Sequence, residues 1–385
     1  MKSNIELGID WDLLIEKASW HRLSPVISSH LSSPELSGSV PSATLEKLQN
    51  ISFHSLARNL LIQKELSDIL LIFNEREIPV VVLKGMALLG NVYEDISLRP
   101  MSDIDILVHP EYIEQAQSIA LDLGYMSPVV DTIQEKNRKG LQHLPRLVHR
   151  EKGVYLEIHD KLAAAESPYL FDISGFWNRA RPIIIQNSKA LAFSPEDLLI
   201  HLCIHFLMDR HYQSMHALGQ LLDISKIVSY YGDSLDWNLV DKVAQDFNIT
   251  PGLHCVFYFC NQLLGTSAPA SVIDSWQPSD FDLRIASLFI RRRVMDDRPW
   301  LAHDLVPSKY HYSKFRIALS IIKRFFDFPV EIYKRHGFGK NTSILLLSRV
   351  GDIFPKIGKG LTRPSELKED ILLDRWLHDL YSPDR

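Results

Sequence analysis

A chain of 385 residues exceeds the usual domain size of about 100–200 residues and predicts two or three domains. Its composition, 46% hydrophobic and 23% charged, is that of an ordinary globular protein, and a net charge of −5 argues against bulk nucleic-acid binding while leaving room for a local basic patch. Cys203, Cys255 and Cys260 fall outside any paired framework, the opening MKSNIELGIDWDLL lacks a signal-peptide pattern, and no run approaches about eighteen apolar residues. These features predict a cytoplasmic protein with no transmembrane segment.

Taken in chain order, the residues up to about Glu77 read as helical. WDLLIEKASWHRLSPVISSHL has helical apolar spacing that stops near Ser24-Pro25. Pro34 to Ala43 is a loop by its Pro, Ser and Gly content, and LARNLLIQKELSDILLIFNERE is a long amphipathic helix. The period then changes. IPVVVLKG reads as a strand closed by Gly85, MALLGNVY as a short helix, and DIDILV as a second strand. A helix through YIEQAQSIALDLG ends at Gly124, and PRLVHR and VYLEIH form a hairpin across the turn EKG. Beyond about Glu166 the chain is mainly helical again, with Ser194 as N-cap and Pro195 at the first position of SPEDLLIHLCIHFLMDRH. The expected class is α+β: a small mixed sheet over 78–165, flanked by an N-terminal helical region (1–77) and a mainly helical C-terminal domain (166–385).

The alternation in DIDILV places Asp103 and Asp105 on one strand face, about 6.5–7 Å apart along the backbone, and turns Ile104, Ile106 and Val108 toward the core. Bare carboxylates so placed repel, and a cation between them removes the conflict. In VYLEIH, Tyr155, Glu157 and His159 share a face, so Glu157 joins the aspartates if the two strands are neighbours. Three such acids can hold two ions about 3.5–4 Å apart, and oxygen ligands suit Mg²⁺. The competing structural reading makes Asp103 a cap and Asp105 a satisfied edge residue.

The pattern LKG followed by LRPMSDIDILV resembles the nucleotidyltransferase superfamily that includes DNA polymerase β, and is similar within it to the family of uncharacterised nucleotidyltransferases. ARNLLIQKEL upstream, and LEIH and LLIHLCIHFLMDRH…LLDISKIV downstream, extend the likeness over most of residues 10–230. The resemblance implies a polymerase-β-like core with a metal centre of Asp103, Asp105 and Glu157 and two Mg²⁺ ions, with Mn²⁺ as a substitute. It also implies a nucleoside triphosphate as donor and transfer of NMP to an acceptor hydroxyl or phosphate. A small molecule, peptide or protein is a more natural acceptor here than nucleic acid. The usual Gly-Ser of the superfamily turn is replaced by Lys84-Gly85-Met86, so the triphosphate needs other partners.

Those partners are expected among Lys84, Gly85, Arg99, Ser102 and His159. Gly85 lets backbone approach a phosphate, or forms a plain turn. Lys84 supplies a point charge, or is a surface lysine directed away from the cleft. Arg99 grips phosphate as a planar fork, or pairs with one of the aspartates. Ser102 donates a hydrogen bond, and His159 orients Glu157, touches the nucleotide or closes the sheet end. His201 and His205 lie four apart on one helix face, but no H-E-x-x-H or paired cysteine motif accompanies them. Asp209, Arg210 and His211 are expected at the cleft, with Asp223 as partner of a nearby histidine. The basic, aromatic-laced 309–363 region is a solvated helix face with an aromatic core stripe, a membrane-surface contact or a site for an acidic partner. The rival readings of function are a non-catalytic nucleotide-binding regulatory or assembly module, and a transferase of another phosphate-linked group.

Overall fold

The computed structural model describes residues 8–127, 144–163, 171–208, 216–279 and 281–294, with residues 369, 372, 373 and 376. They fall into two compact units, one holding the described residues through Gln277 and the other those from Pro278 onward. Asp209, Arg210, His211 and the 309–363 region lie outside the described residues.

The first unit begins with α1 (Trp11–Trp20), α2 (Ser24–Leu31) and α3 (Ser42–Glu75). Asp10 caps α1 by accepting from the Leu13 N–H at 3.0 Å. Pro25 does not end the helical region, because a proline in the first turn loses no intrahelical bond; it starts α2. The long helix starts earlier than the leucine spacing suggests, directly after Pro41.

Next come β1 (Val81–Val82), α4 (Lys84–Leu88), β2 (Asp103–Leu107), α5 (Ile113–Asp122), β3 (Tyr125–Met126), β4 (Leu147–His149) and β5 (Tyr155–His159). After α6 (Ser174–Arg179), the hairpin β6 (Arg181–Ile185) and β7 (Ser188–Ala192) completes a seven-stranded mixed sheet of order β3-β4-β5-β2-β1-β7-β6. The sheet thus extends past residue 165, into sequence that reads as mainly helical: β7 pairs parallel with β1 on the edge that β2 leaves open. Ile104, Ile106, Leu156 and Ile158 pack on Ile62, Leu66, Ile69 and Phe73 of α3 and on Ala116 and Ile119 of α5. Alternation therefore buries one face of the sheet under helices and turns Asp103, Asp105 and Glu157 to the other.

The helical remainder of this unit contains α7 (Pro195–Met208), α8 (Ala217–Tyr231), α9 (Trp237–Asp246), α10 (Thr250–Leu264) and α11 (Ala270–Ser275). Ser194 caps α7 through the Asp197 N–H, and buried Asp197 holds Arg179 at 2.7 Å. Cys203, Cys255 and Cys260 are buried free thiols. In the second unit, α12 (Leu283–Val294) buries Phe289, whose ring lies 5.7 Å from that of Trp376. No described helix is long and apolar enough to cross a membrane.

The segment before β2 has no regular partner, and side chains of α3 secure it: Ser55 donates to the Ser97 carbonyl and Arg58 to the Ser102 carbonyl, with the adjacent Asn59 making the most hydrogen bonds. Asn59, fully buried, donates to the carbonyls of Ile96 (2.5 Å) and Arg99 (2.9 Å) and accepts from the Met101 N–H (3.1 Å). Asn59→Leu should cost about 3 kcal/mol or more, because buried backbone groups left without partners cost about 1–3 kcal/mol each. Urea denaturation measures the loss, and a cost below about 1 kcal/mol would show that other groups hold the segment.

Candidate active site

The register of two strands decides the site. β2 and β5 run parallel with Asp105 opposite Glu157, Asp103 opposite Tyr155 and Leu107 opposite His159. Asp105 and Glu157 therefore stand side by side on one sheet face. Asp105, Glu157 and His159 each offer a ligand atom, and these atoms lie within 4.8 Å of one another. The donor set fits a divalent cation: carboxylates suit Mg²⁺ and Mn²⁺, and the imidazole shifts the preference toward a transition ion.

Two side chains of the protein itself already balance these acids. Lys84, at φ +50° in the left-handed region, brings its ammonium 2.6 Å from Asp105 Oδ1 and 3.7 Å from Glu157 Oε2. It points into the acid cluster, not away from the cleft, because no other described partner offers so much opposite charge to a buried ammonium. Burial opposes that charge, but Asp105 and then Glu157 outweigh it and raise the lysine pKa. Burial likewise opposes the Asp105 carboxylate, yet Lys84 and His159, whose Nε2 lies 3.0 Å away, hold its pKa well below the usual range. Arg146, just before β4, pairs with Asp103 Oδ2 at 2.7 Å, reaches Glu157 Oε1 at 3.5 Å and stacks over the Tyr155 ring at 4.1 Å. The sequence reading missed it, although Leu147 pairs with Leu156 in the hairpin, so the next step sets Arg146 across from Glu157.

Arg99 pairs with an aspartate, but not with either of those on β2. Its guanidinium meets Asp223 of α8, with Nε 2.9 Å from both carboxylate oxygens and an Nη2 contact of 2.8 Å. Tyr93 donates to the same carboxylate at 2.8 Å. Among the described residues, Asp223 is thus the partner of an arginine and a tyrosine and not of a histidine. Arg99 still borders the turn: a Cβ on Gly85 would stand 3.4 Å from Arg99 Nη1 and 3.2 Å from the Met101 side chain. Ser102 donates to Asp103 Oδ1 at 2.8 Å and accepts from Arg22 at 3.1 Å. His201 is buried and His205 partly buried on α7, where desolvation, followed by the Lys84 charge, lowers both pKa values, that of His201 to about 3. Neither ring nitrogen of His201 has a hydrogen-bond partner among the described residues.

Residues 8–265 match the family of uncharacterised nucleotidyltransferases, and the chain belongs to that family. No curated protein matches it. Among solved structures, it is similar to the antibiotic-resistance factor ANT(2'')-Ia, with 15% identity, a TM-score of 0.33, and coverage of 50% of this chain and 92% of that one. An antigenic nucleotidyltransferase-like protein from Paracoccidioides brasiliensis gives 13% identity, a TM-score of 0.30, and coverage of 55% and 95%. Superpositions this loose carry no weight beyond the family match.

The Lys84–Asp105 pair makes stability depend on pH. Because the folded Asp105 pKa is lowered, its contribution is present above the unfolded value of about 3.9 and is lost as pH falls through the folded value. Because the Lys84 pKa is raised, its contribution is full below about 10.4 and is lost as pH rises through the folded value. In metal-free buffer, Lys84→Met should cost about 3–5 kcal/mol near neutral pH, the cost of stranding a buried charge. That deficit should shrink as pH falls below about 3.9. Urea denaturation across this range gives the answer, and a deficit independent of pH would remove the pair as its cause.

Proposed function

We propose that the protein is a divalent-cation-dependent nucleotidyltransferase, which moves NMP from a nucleoside triphosphate to an acceptor hydroxyl or phosphate and releases pyrophosphate. The observation that carries this reading is the in-register pair Asp105 and Glu157, with Asp103 on the same strand face, in a chain of this family. Asp103 and Asp105 would hold two Mg²⁺ or Mn²⁺ ions, with Glu157 on the second and His159 close enough to complete a ligand set. Such ions supply charge neutralisation at the phosphates and a lowered pKa at the acceptor oxygen.

The side chains then divide the remaining tasks. Ser102 and Arg146 fix the orientation of the Asp103 carboxylate from two directions. His159 does the same for Asp105. Glu157 is held between Lys84 and Arg146. Lys84 would be free to meet a triphosphate beside Gly85 once other cations took its place at the acids. Arg99, locked by Asp223, gives the same turn a fixed positive wall. Positioning and charge matching of this kind account for most of the catalysis in phosphoryl-group transfers. A reducing compartment such as the cytoplasm suits the three buried free thiols.

Purified protein incubated with Mg²⁺, each α-labelled nucleoside triphosphate and a cell extract should attach label to an acceptor. Asp103→Asn should reduce that labelling by about a thousandfold or more while the melting temperature stays near wild type, as expected for the loss of an electrostatic contact at the reacting phosphate. Retention of wild-type labelling by Asp103→Asn would overturn the assignment. Nucleotide binding with no transfer under any condition would instead assign a non-catalytic binding module.

A further inference from the structure

Around the acid cluster, most cations are already committed to carboxylates or carbonyls. Lys84 holds Asp105 and Glu157, Arg146 holds Asp103, and Arg99 holds Asp223. Arg58 donates to the carbonyls of Ser102 and Gly153. Arg22 is different. It forms no ion pair with any described residue, and its side-chain hydrogen bond is a single contact to Ser102 Oγ at 3.1 Å. A guanidinium carries five N–H donors, so most of those on Arg22 are unused.

Its location is built, not incidental. Arg22 lies in the α1–α2 turn with φ +58°, a conformation uncommon for a side chain of its size. The turn is clamped against α8. The His216 N–H donates to the Trp20 carbonyl at 3.2 Å, and a Cβ on Gly219 would stand only 2.6 Å from the His21 carbonyl oxygen, so glycine is needed for the approach. Arg22 therefore enters the site from the N-terminal helices, separated from Asp103 by one hydroxyl: Arg22 to Ser102 at 3.1 Å, then Ser102 to Asp103 at 2.8 Å. Its charge is also poorly matched. Burial, then Arg99, outweighs the pull of Asp103, Asp223 and Asp105 and lowers its pKa to about 10. A second anion beside it would relieve that imbalance.

We propose that Arg22 is a triphosphate-binding residue, whose spare guanidinium N–H groups grip the non-transferred phosphates of the nucleotide beside Asp103. This assignment rests on the nucleotidyltransferase reading and names the group that replaces the missing turn serine. A planar fork matches phosphate oxygens better than a lysine does, and the left-handed turn holds it ready before the ligand arrives.

Inorganic tripolyphosphate with Mg²⁺ tests the contact without the identity of the base entering. By calorimetry, Arg22→Gln should bind it about tenfold more weakly or worse, the loss expected for charge-assisted hydrogen bonds, with Arg22→Lys intermediate. Mn²⁺ alone should bind Arg22→Gln within about twofold of wild type, which also reports that the acid cluster is folded. Equal tripolyphosphate affinities for wild type and Arg22→Gln would overturn the proposal. Asp105→Asn separates this failure from that of the wider reading: it should lose Mn²⁺ and tripolyphosphate together, and if it keeps both, the metal-centre assignment itself has failed.

Discussion

Carboxylates on neighbouring strands cannot share a buried sheet face without cations, and the rest of the site follows from that constraint. The parallel register of β2 and β5 forces Asp105 against Glu157. At separations of a few ångströms, and away from bulk water, like charges repel by several kcal/mol. The protein answers with Lys84 in a left-handed turn and Arg146 at the foot of a hairpin, each contacting two acids across the cluster. This self-pairing holds the charge and keeps the geometry, and both cations sit on long, flexible side chains.

The scaffold supports the cluster from behind and from above. Behind it, α3 and α5 bury the opposite sheet face, so a slip by one residue in either strand would send that strand's acids into the core. Above it, Asn59 holds the irregular stretch that leads into Asp103, and Asp223 fixes Arg99 against the Lys84–Gly85 turn. The N-terminal helices contribute through Arg22 and Ser102. Helical regions on both sides of the sheet region in sequence thus contact the residues next to the acid cluster.

Legibility in the sequence followed locality. Alternation in DIDILV and YLEIH reported both strands and the shared face of Asp103, Asp105, Glu157 and His159, because that signal lies within five residues on each strand. Ser194 and Gly124 marked helix ends for the same local reason. The β6–β7 hairpin carried a signal as well, a β-branched run of three isoleucines before the tight Gln186-Asn187 turn with Gln186 at φ +51°, but the helical segments around it dominate the reading. The cations were the hardest part. Arg99 meets Asp223 across 124 residues and Arg22 meets Ser102 across 80, and no window of sequence contains both partners. Lys84 was visible as a residue, but its direction depended on a strained φ that a lysine seldom adopts.

Anomalous diffraction from crystals grown with Mn²⁺ and a non-hydrolysable nucleoside triphosphate examines the metal centre most directly. Manganese peaks within about 2.5 Å of carboxylate oxygens of Asp105 and Glu157 are expected, with the Lys84 ammonium displaced from Asp105 toward the phosphates. Manganese bound elsewhere, with Lys84 still paired to Asp105 while nucleotide is present, would contradict a catalytic metal centre at these strands.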